Sequence, residues 1–322
     1  MNKQVCISVI LAAYNARAFI CKAIEGILAQ TFCDFELLIV DDGSTDGTDE
    51  ICDEYASRDP RIRVFHEQHK GVAYTRQLAL SHAQGEYLLY IDADDHTEVT
   101  MFDAMYTMVK ATDADMLICD YRELSSGAIR VVKQQPTALT PFTVANNLIG
   151  GQLFGALWNK MIRRTCIFNS DTRFRQGLDV REDIIFLLDL LPHIEHIAYL
   201  PKALYIYNKY ANTHSLSNTY LTESRHYYEQ EILWHQAALD SPLINEENKR
   251  KMVNSLLNDA YITLSGKYFS AEEWKRLFVP YTETFNRLEK SYKQRMVAMS
   301  LNGHFLLASF FRRMIVLVRR KA

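Results

Sequence analysis

Residues 5–50 read VCISVILAAYNARAFICKAIEGILAQTFCDFELLIVDDGSTDGTDE, and this stretch decides the fold. Val5 to Leu11 is a nearly continuous apolar run, the pattern of a strand buried on both faces, and it ends at the turn-prone Tyr14-Asn15. Ile20, Ala23, Ile24, Ile27 and Leu28 then recur at helical spacing, which lays one apolar stripe against a sheet. Phe35 to Val40 is a second buried strand, and Asp46-Gly47-Thr48-Asp49 supplies helix-start chemistry. Strand, crossover helix, strand predicts an α/β domain with a largely parallel sheet.

The alternation continues outward from there. Ile51, Cys52 and Tyr55 give the next helix its buried face until Asp59-Pro60 stops it, and Arg61 to Glu67 is a third strand. A helix from Val72 to Ala83 precedes a fourth strand, Tyr87 to Ile91, which runs straight into Asp92-Ala93-Asp94-Asp95. Met101, Phe102, Met105, Met108 and Val109 mark another helix, and Asp115 to Tyr121 a fifth strand. Beyond Tyr121 the periodicity weakens until a helix at Ile184 to Leu191. From about Leu221 nearly everything reads as helix: Thr222 to Leu239, Asn245 to Gly266, and a third opened by the capping box Ser270-Ala271-Glu272-Glu273.

Composition bounds the function classes. At 322 residues with 48 % hydrophobic and 23 % charged side chains, 12 Gly and 7 Pro, the chain buries a full core, and disordered or collagen-like readings fail. A net charge of -3 offers no general field for a nucleic-acid backbone, so no nucleic-acid partner is expected. Six scattered cysteines without a Cys-x-x-Cys pair, and no leader pattern at the first residues, point to the cytosol. The longest apolar run, Phe305 to Val318, is broken by Ser309, Arg312 and Arg313 and is too short to span a bilayer.

Ligands of open α/β sheets gather at the carboxyl ends of the strands, where both acidic clusters sit. Three carboxylates at Asp92, Asp94 and Asp95 repel one another unless something positive is bound, which suits Mg or Mn held by carboxylates and substrate phosphates; the alternative is a solvated helix-capping turn. Asp41 and Asp42 can accept from ribose hydroxyls or a base N–H, or form a turn with Gly43 and Ser44. Arg76 is a candidate for phosphate or for bridging to the second cluster, against the alternative of a surface arginine.

These motifs, in this order, resemble the family-2 inverting glycosyltransferases with the GT-A fold. The matching segments are Ser8 to Asn15, Gln30-Thr31-Phe32, Asp41 to Thr48, Gly71 to Gln77, Gly85-Glu86-Tyr87 with the Asp92 to Asp95 cluster, Ala156 to Lys160, and Arg181 to Phe186. The chain departs from the family at Ala12 and Ala13, which often carry a hydroxyl there, at Gln77 for Asn, and at Arg181 for Gly. The resemblance implies a GT-A domain over residues 1–215, with a nucleotide-binding half to 121 and an acceptor half after it, and a helical region over 216–322. It implies a nucleotide-sugar donor, a UDP-sugar favoured, with its base near Ala12, Tyr14 and Asp42 and its ribose near Asp92 and Asp94. The diphosphate would lie on a divalent metal, Mn or Mg, held by Asp94 and Asp95, with Arg76 assisting.

In the same resemblance Asp183 is the general base that takes the acceptor proton, with Glu182 as its rival; the alternative for both is an acidic helix N-terminus. Trp158 and Lys160 would contact sugar or diphosphate, or be a core Trp with an exposed Lys, and His214 would lie near the donor phosphates. The acceptor implied is a saccharide or lipid-linked saccharide of a bacterial surface polysaccharide. Residues 301–322 contain no acid, and Arg312, Arg313, Arg319 and Arg320 fall on one side of a helix. That pattern suits a helix lying peripherally on the inner face of the cytoplasmic membrane, or one packed on the core with a basic edge. Two rival functions remain open at this point: a nucleotidyltransferase, and a silent carbohydrate-binding or scaffold subunit.

Overall fold

The computed structural model describes residues 5–125, 127–209, 224–288 and 291–321, in two compact units, 1–219 and 220–322. In the first, β1 (Ile7–Ala13), β2 (Phe35–Asp41), β3 (Ile62–His66) and β4 (Tyr87–Asp92) pair in parallel in the order β3-β2-β1-β4. Every residue of β2 is buried, and in β1 only Ala12 is partly exposed, which is why both strands read as unbroken apolar runs. The crossovers are α1 (Ile20–Leu28), α2 (Thr48–Arg58) and α3 (Val72–His82). Ser8, polar at the centre of this core, is satisfied on both sides: its hydroxyl donates to Glu36 Oε1 at 2.6 Å and accepts from Gly85 N at 2.7 Å. A Cβ on Gly85 would collide with the Ser8 backbone nitrogen and stand 2.7 Å from the Ile7 carbonyl carbon, so only glycine lets the chain enter β4 here.

The other half of the sheet is antiparallel at its seam. After β4 come β5 (His96–Thr97), α4 (Met101–Thr112), β6 (Met116–Ser125), β7 (Ala128–Val132), α5 (Pro141–Ile149), β8 (Lys160–Arg163), α6 (Arg164–Ser170), α7 (Glu182–Leu190) and β9 (Ile197–Asn208). The order continues β4-β8-β6-β9-β5, with β8 antiparallel to both neighbours and β9 parallel to β6. The fifth strand predicted to end at Tyr121 runs on to Ser125, because its second half pairs with β7 in a hairpin. β9 carries no clean periodicity because its register against β6 jumps from Cys119–Leu200 to Asp120–Ala203, leaving Pro201 and Lys202 as an exposed bulge.

Register brings the chemistry to one rim. Ala12 pairs with Val40 on one side and Asp92 on the other, and Ala13 pairs with Asp41, so the carboxyl ends of β1, β2 and β4 finish level.

The second unit is helical among its described residues: α8 (Arg225–Asp240), α9 (Glu246–Thr263), α10 (Ala271–Phe278), α11 (Thr282–Asn286), α12 (Tyr292–Met299) and α13 (Phe305–Lys321). Trp274 is fully buried at its centre, with Nε1 donating to Ala260 O at 3.1 Å. The capping box at Ser270 and Glu273 is formed. Gly303, at φ +102°, separates α12 from α13, whose Phe305 and Ala308 are buried while Leu306, Leu307, Phe310 and Phe311 are exposed. Among the described residues no helix is long and apolar enough to cross a membrane.

Candidate active site

A cavity of about 660 Å³ opens at the rim where β1, β2 and β4 end. Ala12, Tyr14, Asp42, Arg76, Asp92, Asp94, Trp158, Glu182 and Asp183 all line it, drawn from six separate segments of chain. His214 lies outside the described residues.

Asp42 cinches the loop that follows β3. Its Oδ1 accepts from Lys70 N at 2.8 Å, and its Oδ2 accepts from Gly71 N and bonds His69 Nδ1, both at 2.9 Å. A carboxylate offers about four acceptor sites, so one remains for a ligand. His69 also stacks on Tyr14 with centroids 4.1 Å apart, and Tyr14 is 47 % exposed, which leaves a flat ring face at the cavity. Asp41 does not line the cavity: it is buried behind Asp42, accepting from Ser44 N at 3.2 Å and facing His66 Nδ1 at 3.4 Å. Of the two carboxylates expected to meet a ligand, only Asp42 therefore reaches the cavity. The pull of Asp41 is felt on His66, where burial opposes the charge but Asp53 and Asp41 outweigh it and raise the imidazole above its usual range.

The second acidic cluster is divided by burial. Asp95 is 1 % exposed, and both its oxygens are taken: Oδ2 accepts from Tyr205 Oη and Oδ1 from Asn208 N, each at 2.7 Å. Expected to be a metal ligand, Asp95 instead ties β4 to β9 from behind, and of the pair assigned to metal only Asp94 lines the cavity. Burial first, then the Asp92 and Asp94 charges, push the Asp95 carboxyl well above the usual range. No three His, Cys, Asp or Glu side chains among the described residues form a ready metal cage. A hard cation held by one or two carboxylates and completed by substrate phosphates fits such a corner.

Arg76 connects the two acidic groups. It is buried, donates to Asp92 Oδ1 at 2.9 Å, and its other terminal nitrogen bonds Glu182. The alternative of a surface arginine fails. Burial disfavours its charge, but Glu182, Asp92 and Asp183 more than offset that and hold it charged. On the carboxylates the balance runs the other way. Burial raises Glu182 to about 8 despite Arg76, with Asp183 adding repulsion, and burial likewise raises Asp183 against Arg76 and the Ile184 N–H. Asp183 Oδ1 accepts that N–H at 2.7 Å, which fixes the carboxylate at the first turn of α7.

Trp158 stacks on Tyr205 at 4.3 Å and is buried, yet its edge reaches the cavity. Lys160 contradicts both expectations for it: it is fully buried and turned away, donating to Phe154 O at 2.9 Å, Ala156 O at 2.6 Å and Asn159 Oδ1 at 2.8 Å. Burial lowers its ammonium to about 7, and its bonds pin the loop that forms one cavity wall. Sequence reasoning missed His69, Asp179, Arg181, Tyr207, Asn208 and Lys209, which also line the cavity. His69 follows the carboxyl end of β3, so the strand-end rule would have reached it; the last three follow from β9, whose bulge hid it.

Residues 8–167 match the sequence model of Glycosyl transferase family 2. The chain is 31 % identical over 227 residues to a cholesterol galactosyltransferase of Borreliella burgdorferi, covering 66 % of this chain and 62 % of the relative. It is 29 % identical over 213 residues to the uncharacterized glycosyltransferase EpsJ of Bacillus subtilis, covering 64 % and 62 %. The chain thus spans about 62 % of the length of each of these relatives. Among solved structures, S. aureus TarS 1–349 in complex with UDP-GlcNAc superposes with a TM-score of 0.67 at 21 % identity, covering 96 % of this chain and 92 % of that one. That likeness is one of fold, the GT-A arrangement of a mostly parallel sheet flanked by helices.

Proposed function

Since the chain belongs to glycosyl transferase family 2, we propose that it moves a sugar, with inversion, from a nucleoside-diphosphate donor to a hydroxyl of a saccharide or lipid-linked acceptor in bacterial surface polysaccharide synthesis. The observation that carries this is the convergence on one cavity of Asp42, Asp92, Asp94, Arg76 and Asp183, from the ends of two parallel strands and from two helices. A UDP-sugar donor is supported by the UDP-GlcNAc bound to the TarS fold relative.

In this reading the Tyr14–His69 ring pair carries the base, and the remaining acceptor site of Asp42 takes a base N–H. Asp92, oriented by Arg76, faces the ribose. Asp94 would hold a divalent cation together with the donor phosphates, and that cation, when bound, supplies Lewis-acid neutralisation of the departing diphosphate. Asp183 takes the proton of the acceptor hydroxyl as that oxygen attacks the anomeric carbon from the face opposite the diphosphate. The raised Asp183 carboxyl is a stronger base than an exposed one, which suits proton transfer near neutral pH. Arg76 does not reach out to phosphate in this arrangement; it keeps three neighbouring carboxylates from repelling one another.

Calorimetric titration with UDP tests the reading. Saturable binding in manganese buffer is expected, weakened at least about tenfold by EDTA and restored by Mn. A chain that binds free saccharide but not UDP would be the carbohydrate-binding subunit instead, and release of pyrophosphate from a nucleotide substrate would mark a nucleotidyltransferase.

For the acceptor side we place α13 on an anionic membrane surface at the cytoplasmic face, on the strength of exposed Leu306, Leu307, Phe310 and Phe311 beside Arg313. Flotation of the chain with phosphatidylglycerol liposomes is expected and should be lost in Phe310→Glu/Phe311→Glu; unchanged flotation of that variant would discard α13 as the contact.

A further inference from the structure

Aromatic rings gather on one wall of the cavity. Phe154, Trp158 and Tyr207 all line it, with ring centroids 5.6 Å apart for Phe154 and Trp158, 5.9 Å for Phe154 and Tyr207, and 5.7 Å for Trp158 and Tyr207. Trp158 is buried against Tyr205 and Tyr207 is half-buried, so Phe154, at 40 % exposed, is the ring of the three with most surface open to a ligand. Of the exposed large apolar side chains among the described residues, two line the cavity, Tyr14 and Phe154. Tyr14 is taken up with His69 beside Asp42, which leaves Phe154 as a second and separate platform.

An exposed phenylalanine in a loop is ordinary; one held this firmly is not. The Phe154 N–H donates to Gln134 Oε1 at 2.7 Å, and its C=O accepts from Lys160 Nζ at 2.9 Å. Both clamps are buried, and Gln134 is anchored in turn through its own N–H to Asp120 Oδ1 at 2.6 Å. Burying a lysine is costly, so the fold invests in fixing this stretch of backbone, and the ring stands on a rigid support. The same loop is set against the base. A Cβ on Gly155 would stand 2.9 Å from Ile184 Cβ, an atom no rotamer change can move, so glycine lets the chain after Phe154 touch the residue that follows Asp183.

We propose that Phe154 determines acceptor specificity as the platform for the acceptor's terminal sugar: a pyranose lays a C–H-bearing face on the ring while its hydroxyl meets Asp183. The proposal rests on the glycosyltransferase reading above and adds to it the class of acceptor, a saccharide ending in a pyranose rather than an acyclic or lipid hydroxyl. A pyranose is amphipathic, with C–H groups on its faces and hydroxyls around its edge. The face suits an apolar ring whose electron-rich surface attracts slightly positive hydrogens, and the edge is left to polar groups. With the ring on one segment and the base on the segment packed against it, the stacking that selects the sugar also orients its hydroxyl.

Saturation-transfer NMR on the full chain with UDP and magnesium tests this with four probes: methyl glucoside, methyl galactoside, methyl mannoside and glycerol 3-phosphate. At least one pyranoside is expected to bind, with saturation strongest at the hydrogens of one ring face, and the acyclic glycerol 3-phosphate is expected not to. Phe154→Leu keeps the apolar bulk and removes the flat face; it should weaken pyranoside binding about three- to tenfold while UDP affinity and melting temperature hold. Phe154→Tyr should stay within about twofold of the wild type. Replacing UDP by UDP-GlcNAc should leave the pyranoside bound. With UDP binding intact, three results overturn the proposal: binding of no pyranoside, an unchanged affinity in Phe154→Leu, or displacement by UDP-GlcNAc, which would give the ring to the donor sugar. Failure of the wild type to bind UDP overturns the glycosyltransferase reading and this proposal with it, so the two failures are told apart in one experiment.

Discussion

Asp183→Asn is expected to lower sugar transfer by about 10²–10⁴-fold while leaving UDP affinity within about twofold. The asparagine keeps the size and the acceptor oxygen that takes the Ile184 N–H, so the first turn of α7 stays formed. What it removes is the site that receives the acceptor proton. In the wild type, transfer should fall as the pH drops, because the base works only when ionised, and burial places that fall above the ordinary carboxylate range. Release of UDP from a UDP-sugar in the presence of acceptor, followed from pH 5 to 9, measures both effects. Near-wild-type turnover of Asp183→Asn would remove Asp183 from the mechanism. Glu182→Gln separates the rivals: Glu182 is bonded to Arg76 and raised to about 8, so it is largely protonated at neutral pH and a poor base there. A collapse of transfer in Glu182→Gln with Asp183→Asn active would exchange their roles.

The cavity rim was legible because its strands are buried on both faces and therefore announce themselves as apolar runs, ending beside residues that line the cavity. Asp42, Asp92 and Asp94 could be placed at strand ends before any coordinates, and the register of β1 with β2 and β4 brings them level. What the pattern could not give was the second half of the sheet. β8 is only four residues long, β7 is exposed on most of its length, and Pro201 breaks the alternation of β9, so none carries a period long enough to read. The same blindness reached individual side chains. Asp94 and Asp95 are adjacent in sequence, and only the arrival of Tyr205 and Asn208 from β9 decides that one faces the cavity and the other is held behind it. Lys160 illustrates the point again, since a buried lysine with three acceptors in its own loop has no signature in spacing or composition.

Arg76→Met should produce the largest loss of stability, about 3–5 kcal/mol at pH 8, because it leaves Asp92 and Glu182 without their shared cation inside the protein. Methionine fills a similar volume with no charge, so the penalty is electrostatic rather than a cavity. Its sign with pH follows from the direction of the Glu182 shift. Glu182 is raised to about 8 when folded and lies near 4.5 when unfolded, so the native state binds the proton more tightly. The stability this group contributes is full below the unfolded value and is lost as pH rises toward the folded one, at up to about 1.4 kcal/mol per pH unit. Removing Arg76 takes away the attraction that lowers both Glu182 and Asp183, raises them further, and extends that loss to higher pH. The difference between variant and wild type should therefore be smaller at pH 5, where Glu182 is protonated in both, and larger at pH 8, where the wild type begins to ionise it and the variant does so less. Urea denaturation at the two pH values reads it directly, and a pH-independent difference would mean that Arg76 acts by packing alone. The same variant should lose transfer at neutral pH, because an Asp183 raised further is less ionised there, and part of that activity should return as the pH is increased. A nucleotide-binding arginine would behave differently, losing UDP affinity at every pH, so the recovery distinguishes a residue that tunes the base from one that grips the donor.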